Sequence, residues 1–151
     1  MGRRPFVGSC VTRVPLPEFC YGGGGLSACC RQAERGDLTP VQRLSAIFAP
    51  IDGGPAAVIR GCPFHNAVVE GAGELPEIAH LAQRHKQDFR DRLVATAAEA
   101  GAADPETLGR QLAVLFEGAN ALAASSNDAQ AFTDARQAAE TLLDVALKTT
   151  P

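Results

Sequence analysis

From Thr39 to Lys148 apolar residues return every three or four positions through five successive segments, separated by short runs of glycine, proline, aspartate and asparagine. That spacing matches the 3.6-residue turn of an α-helix and not the alternation of a strand, so each segment has one apolar stripe to bury against its neighbours. The result is an all-α bundle. Composition agrees: alanine is abundant and aromatics are only 5%, which favours closely packed helices over a sheet built from β-branched and aromatic residues. With 151 residues, 46% of them hydrophobic, the chain has material for one core.

The start and stop signals divide the pattern. "TPVQ" places a capping hydroxyl at Thr39, proline in the first turn and glutamine at the third helical position, ahead of a stripe of Val41, Leu44, Ile47, Phe48 and Ile51 that ends near Pro50. "APIDGGP" breaks the chain, and Pro63 opens a short helix with Phe64, Ala67 and Val68 inward. Ile78, Leu81, His85, Phe89, Leu93 and Ala97 then mark a long helix of about seven turns. Asp104 caps the next, with Leu108, Leu112, Leu115, Phe116, Ala119 and Leu122 inward. Asn127 and Gln130 repeat the capping pattern before a last helix carrying Phe132, Ala135, Ala139, Leu142, Leu143 and Ala146.

Residues 1–38 are different in kind. They hold three prolines, seven glycines and the run "YGGGG", with no sustained period, and are expected to form a poorly structured segment preceding a domain at 39–148. The glycines are not a phosphate loop, because no Gly-Lys-Ser/Thr follows. A formal charge of −3 without a lysine-rich run leaves no footprint for nucleic acid. No apolar run reaches the roughly 20 residues needed to span a bilayer, and the stretch before Cys10 is too short for a signal peptide, so a cytoplasmic protein is expected. Four of the five cysteines, Cys10, Cys20, Cys29 and Cys30, lie in the first thirty residues without CxxC spacing, which reads as free thiols.

The stretch "RGCPFHNAVVE" concentrates reactive side chains. Cys62, His65, His80 and His85 have the residue types of a zinc site, but His80 and His85 stand five apart on one helix and point in divergent directions, against tetrahedral convergence. A thiol enzyme on Cys62 and His65 lacks a visible orienting acid or oxyanion device. No enzyme activity, metal or cofactor is therefore expected. A helical metal-binding or thiol protein using Cys62 and the histidines stands as an alternative reading.

In order along the chain, "RLSAIF", "RGCPFHNAVVE", "HLAQRHKQDFRDRL", "DPETLGRQLAVLFEGANALA" and "DAQAFTDARQAAETLL" resemble the C-terminal regulatory domain of TetR/AcrR-family transcriptional regulators over roughly residues 40–148. The resemblance implies a helical cage around a small, often hydrophobic effector, and pairing of the last two helices with those of a second subunit. On that reading Phe64, Phe89, Leu112 and Phe116 wall the pocket, and Asn66, His85 and Asn120 supply polar contacts. Gly118, Ala121, Ala124, Phe132, Ala135, Ala139 and Leu142 form the dimer interface, their small side chains admitting close helix approach. The first 38 residues show none of the family's helix-turn-helix pattern, so direct contact with nucleic acid is not expected from this chain. A truncated regulator acting as a homodimer, or as a heterodimer with a full-length relative, follows. A structural interaction module with a filled core is the remaining alternative.

Overall fold

The computed structural model describes residues 35–49, 58–71 and 76–148. They form five helices: α1 (Pro40–Ala46), α2 (Pro63–Gly71), α3 (Pro76–Glu99), α4 (Pro105–Ser126) and α5 (Gln130–Lys148), with no strand among the described residues. The all-α expectation holds. The segment expected to be irregular at 1–38 lies outside the described residues apart from 35–38, as does Ile51.

Local chemistry sets the helix ends. Thr39 and Gln42 form a reciprocal capping box, the Gln42 amide donating to the Thr39 hydroxyl at 3.3 Å and the Thr39 amide to Gln42 Oε1 at 2.9 Å. Asp104 accepts from the Thr107 amide at 3.0 Å and caps α4. α3 closes on Gly101 at φ 81°, with the Ala102 amide reaching back to the Ala97 carbonyl and the Gly101 amide to Ala98, which satisfies carbonyls left over at the helix end. Asn127 departs from expectation. Its left-handed φ of 51° closes α4, while Asp128 accepts from the Gln130 amide at 2.9 Å at the start of α5. Asparagine tolerates that conformation, and its amide oxygen also accepts from the Ile59 amide at 2.9 Å.

Short connections make α3, α4 and α5 successive neighbours; α1 packs on α3 and α5, and α2 on α3. Phe116 is the centre of the core, with its ring 5.0 Å from Phe89 and 6.2 Å from both Phe48 and Phe132. Leu44, Ile47, Leu93 and Leu112 close around this aromatic cluster. α3 and α4 approach so closely that a Cβ at Gly109 would lie 2.6–2.9 Å from Val94 side-chain and backbone atoms.

Two residues expected inward are not. Val68 is 37% and Leu122 63% exposed, because each stands at the edge of its stripe where no neighbouring helix among the described residues covers it. Phe132, Ala135 and Ala139, also assigned to the dimer interface, are buried in the chain's own core, since the α5 stripe packs against α4 and α1.

Candidate functional site

The residues expected to line one pocket separate into two environments. Phe89, Leu112 and Phe116 are at most 2% exposed and belong to the central aromatic cluster. Their side chains fill the space between α3 and α4 themselves, with ring contacts at van der Waals separation. Asn120 is buried beside them and donates to the Phe116 carbonyl of its own helix at 3.1 Å. That bond satisfies one side-chain hydrogen locally and ties the amide to the helix.

The second environment lies where α2 meets α3. Phe64 stacks on His85 with centroids 4.1 Å apart and planes within 16°. His85 Nε2 is enclosed and has no hydrogen-bond partner among the described residues. Burial holds the imidazole below the ordinary histidine value, the neighbouring Lys86 ammonium adds to that effect, and Asp88 and Glu117 oppose it. The ring is therefore neutral near pH 7, with one nitrogen available to an incoming hydrogen-bonding group. Asn66 points the other way, donating to the Arg60 carbonyl at 2.7 Å, so it braces the entry to α2.

Beside this stack stands a cluster that the sequence pattern does not assemble. Lys86 on α3 donates to Cys62 Sγ at 3.2 Å and forms an ion pair with Glu117 on α4. The sequence groups Cys62 with the histidines, yet its partner is a lysine. Lys86 and Glu117 look like ordinary surface charges in the sequence, far along the chain from Cys62; only the packing of three segments joins them. His65 and His80 are exposed, and no three His, Cys, Asp or Glu side chains group as metal ligands among the described residues.

The surface offers two other features. α4 carries an exposed stripe on the side opposite its core face: Val114 at 72% exposure, Gly118, Ala121 and Leu122. α5 exposes Ala138 and Val145 and half-buries Leu142. A depression of about 650 Å³ runs along α5 between Gln137, Glu140, Thr141, Asp144, Val145 and Lys148. Its mixed polar lining shares no residue with the expected pocket. No described helix is long and apolar enough to cross a membrane.

No curated protein and no solved structure matches the chain. A family model does: the one described as "Tetracyclin repressor-like, C-terminal domain" matches residues 40–139, well over half of the sequence, from the start of α1 to the middle of α5. The chain therefore belongs to the tetracyclin repressor-like C-terminal domain family.

Proposed function

We propose that residues 39–148 act as the ligand-responsive, dimerising part of a TetR-type regulator in the cytoplasm, by binding and not by catalysis. The observation that carries the pairing half of this reading is the apolar stripe of Val114, Gly118, Ala121 and Leu122, which faces away from the chain's own core. Isolated exposed apolar residues are common on soluble proteins, but four at i, i+4, i+7 and i+8 on one helix form a continuous strip with a small residue at its centre. Ala124, Ala138 and Leu142 flank the paired surface in this reading, and Phe132, Ala135 and Ala139 support it from beneath.

For the ligand, the entry is the α2–α3 boundary and not the aromatic centre. A small apolar molecule carrying one hydrogen-bonding group would take the place of Phe64 against His85, engage its free nitrogen and move α2 outward. Phe89 and Phe116 then form the floor of the opened site, with Leu112 and Asn120 behind them. Ligand binding would change the position of α2 against the paired helices, an allosteric coupling only if the two arrangements differ in affinity. DNA binding would be provided outside this domain or by a full-length relative in a heterodimer. The filled aromatic core supports a second reading, a dimerisation module that binds no small molecule.

Sedimentation equilibrium on the full chain tests pairing: the wild type should be dimeric and Val114→Glu monomeric but folded. A wild-type monomer at micromolar concentration removes that half. A thermal-shift screen of apolar compounds tests the other half, because a ligand at about 100 times its Kd stabilises the native state by about 2.7 kcal/mol. Stabilisation that is lost in His85→Phe supports the proposed entry. A screen without hits, on a dimer, favours the module.

A further inference from the structure

We propose that Cys62 and Lys86 form an oxidation-dependent, reducible covalent crosslink between Sγ and Nζ, with Glu117 as the proton acceptor. The pair is held by structure on both sides. The Cys62 carbonyl receives the Asn66 amide at 3.0 Å, fixing the residue at the first turn of α2. Just before it Gly61 adopts φ 70° and lies against α4, where a Cβ would come within 3.1 Å of the Ala124 methyl, and Ile59 is bonded to Asn127. Lys86 is positioned by its ion pair with Glu117 and presents its nitrogen 3.2 Å from the sulfur.

Access decides the fate of an oxidised sulfur here. Cys62 is 4% exposed, whereas the Lys86 and Glu117 side chains are 30% and 34% exposed, so the sulfur is more enclosed than the amine and carboxylate beside it. A small hydroperoxide reaches a sulfur so enclosed more readily than a bulky cellular thiol does. That enclosure disfavours a free thiol as the resolving partner of a sulfenic acid, and among the described residues the Lys86 amine is a nucleophile already at contact distance.

The chemistry balances in two steps. Cys62 sulfur attacks hydrogen peroxide, an S–O bond forms as the O–O bond breaks, the sulfur loses two electrons to the peroxide, and water is released. The Lys86 ammonium then gives one proton to Glu117. Its nitrogen attacks Sγ, the S–N bond forms as the S–O bond breaks, and the hydroxyl leaves as water with a second nitrogen-bound proton. One hydrogen remains on nitrogen, and the second step involves no net oxidation. A dithiol reverses the product to thiol and amine while becoming a disulfide. The crosslink would fasten the start of α2 to α3 beside the Phe64–His85 stack.

The test is peptide mapping of the full chain after hydrogen peroxide treatment, with trypsin and without reductant. Wild type should yield residues 61–84 joined to residues 85–90, lighter by two hydrogens than the sum of the free peptides, uncleaved at Lys86 and separated by dithiothreitol. Peptide mapping is required because a disulfide elsewhere in the chain would give the same change in whole-chain mass. Lys86→Arg keeps the positive charge beside Glu117 but supplies no competent amine, and should instead accumulate Cys62 sulfinic acid. Recovery of wild-type Cys62 as sulfinic acid, as a disulfide with another cysteine, or unmodified while the other cysteines are oxidised would overturn the proposal. So would the same joined peptide from Lys86→Arg.

Discussion

Gly109→Ala sets two effects of known sign against each other. In a helix interior, alanine is favoured over glycine by about 1 kcal/mol, so a substitution at an unobstructed position would stabilise the protein. At Gly109 the new methyl would lie 2.6 Å from Val94 Cγ2, 2.8 Å from its nitrogen and 2.9 Å from its Cα. The valine side chain can turn aside, but the backbone of α3 cannot. Relief requires α3 and α4 to separate by about half an ångström along a seam where Leu93, Ala97, Leu108 and Leu112 are at most 2% exposed. Overpacking of this kind costs about 1–3 kcal/mol, and opening the seam also weakens contacts on either side of it. Because two of the three blocking atoms are backbone, the upper part of that range, about 2–3 kcal/mol, applies; less about 1 kcal/mol of propensity, the net loss is about 1–2 kcal/mol and the fall in Tm about 4–10 °C. The control is Gly118→Ala, where a Cβ meets nothing within 4 Å in the chain. Thermal unfolding at low protein concentration, where chains are unpaired, should show Gly118→Ala at or above wild type and Gly109→Ala below it. A Gly109→Ala protein as stable as wild type would refute the argument that this glycine sets the helix spacing.

Two further outcomes follow from the helix ends and the α2–α3 boundary. Thr39→Ala removes the hydroxyl that accepts from the Gln42 amide and should lower stability by about 1 kcal/mol in urea titrations, with Thr39→Ser retaining most of it; equal loss in both would mean the methyl group and not the cap matters. His85 is held below its ordinary value of 6.5, so as pH falls the unfolded chain takes up a proton there before the folded one. The associated stability is complete above that value and declines as pH drops below it towards the folded value. Stability measured from about pH 8 to about pH 5 should decline less steeply in His85→Gln than in wild type, and parallel curves would show that His85 does not contribute.

Helix existence, order and most caps are legible in the amino-acid sequence, because a 3.6-residue period and a Thr-Pro-x-Gln or Asp-Pro start are properties of adjacent residues. The family resemblance is legible for the same reason, since its motifs are local runs. The edges of each stripe are not. Leu122 and Leu115 both read as inward, yet only the placement of α5 and α3 around α4 decides that Leu122 is exposed while Leu115 is half-buried. The α5 residues Phe132, Ala135 and Ala139 read equally well as core or as interface, since a single apolar stripe does not say whether its partner belongs to the same chain or another.

The periodicity of residues 39–148 by itself determined that this protein buries helical stripes around one core, because hydrophobic burial and backbone hydrogen bonding leave that pattern no other compact form. Only the tertiary structure decided which side chains meet. It placed Phe116 among Phe48, Phe89 and Phe132, stacked Phe64 on a neutral His85, and brought Cys62, Lys86 and Glu117 together from three separate segments. Such contacts depend on how helices cross and how closely Gly109 lets them approach, quantities that no local run of residues encodes.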